Sequence, residues 1–129
     1  MMLLTAELGF SSAHRMEKYP GNCQHLHGHN YKLFLTVAGE PDPDTEMVID
    51  FVKMKEIVQE RVLSLVDHRY LNDVISYPTS ENIIKWIWDR LEGQLPGLYE
   101  LKLYEQTDCC VTYRGPGKSA FAVQEKLLR

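Results

Sequence analysis

Two stretches, residues 3–14 and 27–38, read with a period of two, and they constrain most of what this chain can fold into. In the first, Leu4, Ala6, Leu8 and Phe10 take the even positions between Thr5, Glu7, Gly9 and Ser11. In the second, Tyr31, Leu33, Leu35 and Val37 take the odd positions, with Asn30, Lys32 and Thr36 between them. Such alternation marks strands with one buried face. The apolar phase of the first strand runs on through Ser12 to His14, and that of the second runs back through His29 to His27. Paired antiparallel, the two strands bring three imidazoles together at one end of a sheet.

That convergence has a chemical meaning. His27 and His29 project to one face, about 6.5–7 Å apart along the strand, and Gly28 leaves the other face clear. Three histidines with an open fourth position describe a catalytic zinc site, so His14, His27 and His29 are expected to bind Zn2+. The loop between the strands turns at Pro20-Gly21-Asn22 and carries Cys23, four residues before His27. Its thiol is either a fourth ligand or, left free, a nucleophile or base beside the metal.

The rest of the chain supplies two helices and a second pair of strands. After the turn-rich segment 39–49, Asp50 caps an expected helix over 51–66, with Phe51, Met54, Val58, Val62 and Leu65 as its buried stripe. Pro78-Thr79-Ser80-Glu81 opens a second helix, capped by Thr79 or Ser80 and stopped at Pro96-Gly97; Ile83, Ile84, Ile87, Trp88, Leu91 and Leu95 are its core positions. Strands follow over 98–105, with Tyr99, Leu101, Leu103 and Glu105 on the inner phase, and over 109–114. Phe121 and Val123 suggest a further short strand in the tail. The order ββααββ predicts an α+β fold: a four-stranded antiparallel sheet with both helices on one face and two edges that need partners.

Charge and composition narrow the function. A length of 129 residues fits one domain, 1–129, with a core over about 5–115 and a tail over 116–129. A net charge of −4 argues against general nucleic-acid or membrane-surface binding, so an anionic ligand would need a local cation or a metal. No apolar run has the length of a membrane span, and the first residues, without a basic start or a cleavage motif, do not read as a secretory signal. Three cysteines, two of them adjacent at Cys109-Cys110, make no disulfide framework and point to a reducing, cytoplasmic setting.

Three more polar groups fall near the same end of the fold. Asp67 and His68 follow a helix terminus, where a carboxylate hydrogen-bonded to the imidazole would fix its tautomer and raise its basicity. Glu105, at the end of the inner phase, suits a ligand edge presenting paired N–H donors, which a carboxylate meets in bidentate fashion.

Together these residues carry a resemblance. His14, Cys23-x-x-x-His27-Gly28-His29, Asp67-His68 with Tyr70-Leu71-Asn72, Pro78-Thr79-Ser80-Glu81-Asn82, Glu105 and Tyr113-Arg114-Gly115 resemble the 6-pyruvoyl-tetrahydropterin synthase family over residues 5–115. The three-residue gap between Cys23 and His27 is most similar to its bacterial branch, the 6-carboxy-tetrahydropterin synthases of queuosine biosynthesis.

The resemblance implies the tunnelling fold, in which ββααββ subunits join edge to edge into barrels, here a homohexamer built as a dimer of trimers with active sites at subunit boundaries. It implies a zinc-dependent carbon–carbon lyase acting on 7,8-dihydroneopterin triphosphate, releasing acetaldehyde and triphosphate. It assigns zinc to His14, His27 and His29, proton acceptance to Cys23, a relay to Asp67 and His68, and pterin binding to Glu105, with Thr79 and Ser80 lining the same pocket. His25 has no counterpart role, and Arg69 stands where many relatives carry another histidine. A 6-pyruvoyl product, a non-catalytic zinc module closed by Cys23, and a zinc hydrolase of another small molecule are the competing readings.

Overall fold

The computed structural model describes all residues except 20, 22, 23 and 118–129, so Cys23 and the expected tail strand lie outside the described residues. The two alternating stretches form the longest strands, β1 (Met2–His14) and β2 (His27–Gly39). They pair antiparallel in unbroken register from Met2 opposite Gly39 to His14 opposite His27. β4 (Leu98–Gln106) adds antiparallel to β2, and β5 (Cys109–Tyr113) adds antiparallel to β4.

A fifth strand was not legible. β3 (Arg69–Tyr70) pairs parallel with β1 through Ser12 and Ala13, giving the order β3-β1-β2-β4-β5 and a mixed sheet in place of the expected antiparallel four. Two residues are too few to show a period. Tertiary bonds set this strand instead: the His68 amide donates to the Ser11 carbonyl at 2.6 Å, and the Ser12 hydroxyl bonds the Val66 carbonyl.

The helices cover one face. Asp50 caps α1 (Phe51–Val58) by accepting from the Val52 amide, which then runs through a π-helical stretch, Gln59–Leu63, into α2 (Ser64–Val66). α3 (Ser80–Leu91) is capped by Thr79, whose side chain accepts from the Asn82 amide. Leu33, Leu35, Leu101 and Leu103 from the sheet pack with Met54, Val58, Val62, Ile83, Ile87 and Leu91 from the helices, all fully buried.

Two phase expectations fail for stated reasons. The π stretch holds one residue more than an α turn, so Val62 and Leu63 are both buried and the inward position moves from Leu65, 38% exposed, to Val66; Phe51, in the first turn, is also exposed. In β4 the register shifts between Thr36, opposite Glu100, and Val37, opposite Leu98, so Tyr99 bulges out and is 39% exposed.

Candidate metal centre

The centre is built at the closed end of the β1–β2 hairpin. His14 and His27 are cross-strand partners, and His29 stands opposite Ser12, one pleat along on the same face. The three rings meet edge to face, with centroids 4.5, 5.0 and 4.9 Å apart. One nitrogen from each lies within 4.8 Å of the others. His14 is fully buried, and Tyr31 packs beneath both His14 and His29.

Backbone carbonyls orient the rings. His14 Nδ1 is 2.8 Å from the Pro78 carbonyl oxygen, and His27 Nδ1 is 2.8 Å from that of His25. A carbonyl only accepts, so each Nδ1 carries the proton and each Nε2 keeps its lone pair. Those two Nε2 atoms face each other at 2.9 Å, and His29 Nε2 is buried with no hydrogen-bond partner. Facing lone pairs and an orphaned buried nitrogen are what a cation between them would satisfy. Burial also holds the His14 and His29 imidazoles below their ordinary pKa, against the upward pull of Glu105, so they stay neutral and able to ligate. The residues fit a zinc ion.

Glu105 joins this cluster. It is the extra residue of a second bulge in β4, between Tyr104, opposite Cys110, and Gln106, opposite Cys109. Its Oε1 lies 3.4 Å from both His14 Nε2 and His29 Nε2. On its other side Glu105 lines a cavity of about 270 Å³ with Ser80, Glu81, Leu103, Cys109, Cys110 and Val111. Ser80 therefore reaches the Glu105 cavity, whereas the Thr79 hydroxyl is taken up capping α3. No pattern in the chain announced Cys109 and Cys110 here; the hairpin register brings them. His25, without a role from its side chain, acts through its carbonyl on His27.

Asp67 and His68 form a separate pair. His68 adopts a left-handed backbone at φ 56°, and its Nδ1 is 3.0 Å from Asp67 Oδ1. The Ser11 amide, with the neighbouring His68, holds the Asp67 carboxyl below the ordinary aspartate range. The His68 side chain is 82% exposed, and among the described residues no hydrogen bond or ion pair joins it to the three histidines or to Glu105. It shares with His29, Asn30 and Arg69 the wall of a cavity of about 500 Å³.

The profile of 6-pyruvoyl tetrahydropterin synthase matches residues 3–116. This chain belongs to that family. Human 6-pyruvoyl tetrahydrobiopterin synthase is 35% identical over 133 residues, covering 87% of this chain and 90% of the human protein. The 6-carboxy-5,6,7,8-tetrahydropterin synthase of Synechocystis is 33% identical over 123 residues, covering 90% and 95%. The solved 6-pyruvoyl tetrahydropterin synthase of Caenorhabditis elegans superposes with a TM-score of 0.77 at 32% identity, over 90% of this chain and 98% of that one. The mixed five-stranded sheet with its helices on one face is thus the fold of the 6-pyruvoyl tetrahydropterin synthases, a family of pterin synthases, while relatives with different names match about equally well.

Proposed function

We propose that this chain is a zinc-dependent lyase that converts 7,8-dihydroneopterin triphosphate to 6-carboxy-5,6,7,8-tetrahydropterin, consuming water and releasing acetaldehyde and triphosphate, as a step toward queuosine. The observation that carries the reading is the cluster of His14, His27 and His29 with Glu105 at 3.4 Å, opening onto the cavity that Ser80 shares. It is supported by the Synechocystis relative and by the three-residue gap between Cys23 and His27.

Zinc, when bound, supplies Lewis acidity that lowers the pKa of the vicinal hydroxyls on the substrate side chain. Glu105 accepts the paired N–H donors of the pterin ring and so orients the side chain. Ser80 lines the ring pocket, and Thr79 sets the start of the helix that carries it. Cys23 and His68 move protons to and from the side chain and ring, and Asp67 holds the His68 imidazole in one tautomer.

The assembly is read as a homohexamer, a dimer of trimers. Support comes from the two sheet edges, β3 and β5, and from His68, which among the described residues makes no hydrogen bond or ion pair to the three metal-centre histidines. A neighbouring copy would bring its Asp67-His68 pair to this chain's metal centre. No nucleic-acid partner enters this reading. Among the described residues no helix is long and apolar enough to cross a membrane, and we place the enzyme in the cytoplasm.

A second reading, 6-pyruvoyl-tetrahydropterin formation by elimination of triphosphate alone, is favoured by the human and nematode relatives. Product analysis after incubation with dihydroneopterin triphosphate separates the two. Acetaldehyde with a carboxylated pterin is the expected result. A pyruvoyl product without acetaldehyde selects the second reading, and unchanged substrate overturns both.

A further inference from the structure

We infer that Glu105 is itself a metal ligand when no pterin is bound, so that substrate recognition is what opens the fourth coordination position. The inference rests on the metal reading of His14, His27 and His29 and goes beyond it.

Two donor separations have the length of edges in a coordination shell, while His14 Nε2 and His27 Nε2, at 2.9 Å, would have to part by about half an ångström around an ion. With metal–nitrogen and metal–oxygen bonds of about 2.0–2.2 Å, neighbouring donors of a tetrahedral zinc site lie about 3.3–3.5 Å apart. Glu105 Oε1 stands 3.4 Å from His14 Nε2 and 3.4 Å from His29 Nε2. Those are lengths for two donors facing a common ion and are too long for hydrogen bonds.

The surroundings agree. His29 Nε2 is the buried nitrogen left without a hydrogen bond, and Glu105 is its nearest anionic neighbour. Among the described residues, the Glu105 carboxylate makes no hydrogen bond to a backbone amide and no ion pair with lysine or arginine. Its bulge takes it out of the β4–β5 ladder, which leaves its aim to side-chain forces. Three neutral imidazoles around a divalent ion leave two positive charges, and a carboxylate halves that excess.

The same carboxylate faces the Ser80 cavity, with its side chain 31% exposed. Aligned in bidentate fashion with a pterin edge, the carboxylate turns both oxygens toward the ring and away from the ion. Glu105 therefore acts as a latch: a pterin that engages it withdraws it from the ion and frees the position that the substrate hydroxyls need.

The test uses cobalt, whose visible absorption reports the number and kind of its ligands. Co2+ affinity, by chelator competition, and the Co2+ spectrum are measured for the wild type, Glu105→Ala, Glu105→Gln and His29→Ala. Glu105→Gln retains the side-chain shape and serves if Glu105→Ala folds poorly. Both Glu105 variants should bind Co2+ more weakly, by at least the roughly 10- to 100-fold that follows loss of even a supporting partner, and with an altered spectrum. A pterin lacking the triphosphate should shift the wild-type spectrum toward that of the variants and leave theirs unchanged. If both Glu105 variants match the wild type in affinity and spectrum while His29→Ala loses the ion, the latch is wrong and the metal centre stands. If His29→Ala keeps Co2+ at wild-type affinity, the metal reading itself falls.

Discussion

The amide of Ser11 donates to Oδ1 of Asp67 at 2.9 Å, a bond between groups fifty-six positions apart in the chain. It fixes the end of the first helical segment to β1 and depresses the Asp67 pKa. A carboxylate with a lowered folded-state pKa stabilises fully above its unfolded value, about 3.9, and the contribution disappears as pH falls through the lower folded value. Asp67→Asn should therefore lower the urea midpoint by a constant amount from pH 8 to pH 5. The gap from wild type should close below about pH 3.9. Urea titrations of both proteins across that range check it; a gap that widens on acidification contradicts the assignment.

His27→Ala or His29→Ala should lose zinc during purification together with activity, because each removes one of the three imidazole nitrogens that hold the ion. Elemental analysis of purified variants gives the answer. Full zinc occupancy in both would remove the centre as described.

Cys23→Ala should keep zinc and bind dihydroneopterin triphosphate normally while single-turnover rates fall by roughly 10²–10⁴-fold, the range for one acid–base group. Glu105→Ala should weaken substrate binding as well as turnover. Zinc loss from the Cys23 variant would make the thiol a ligand instead of an acid–base group.

Light scattering should find a hexamer at micromolar concentration. If His68 serves a neighbouring copy, inactive His29→Ala and His68→Ala chains assembled together should regain about a quarter of wild-type activity, the share of sites that draw both groups from intact chains. A monomer, or no recovery in verified mixed assemblies, counts against shared sites.

Gly97 and Gly93 should respond oppositely to alanine. Gly97 sits at φ 84°, and a Cβ there would overlap the Ala38 carbonyl oxygen, so Gly97→Ala should cost about 1–3 kcal/mol. Gly93 is outside the left-handed region with open space around it, so Gly93→Ala should gain about 0.4–1 kcal/mol. Chemical denaturation of the two variants measures both.

The sequence was most informative where a period ran long. β1 and β2 are long enough to declare their inner faces, and that phase alone brought His14, His27 and His29 together. Glu105 followed from the same reasoning, although its closeness to the imidazoles depends on a bulge that no pattern announces. β3 was invisible because two residues have no period and its bonds come from Ser11, Ser12 and Val66. Leu65 and Tyr99 were misplaced for a related reason: each lies beside a one-residue irregularity that shifts the phase. Asp67 and His68 were found together, but that they share a cavity with His29 without a hydrogen bond or ion pair to it is a property of the fold and not of their spacing.

The π stretch Gln59–Leu63 gives the rod from Phe51 to Val66 two reading frames. Up to Val58 the sheet reads one set of positions; beyond Leu63 it reads a set advanced by one. Winding the same residues as one continuous α-helix, without the π turn, would rotate everything after it by about 100°. Val66 would leave the core, and Asp67 would no longer meet the Ser11 amide. Comparisons between relatives that slide one helix along another without a gap here will pair inward residues with outward ones, and will lose the alignment of the Asp67-His68 step at the point where it matters.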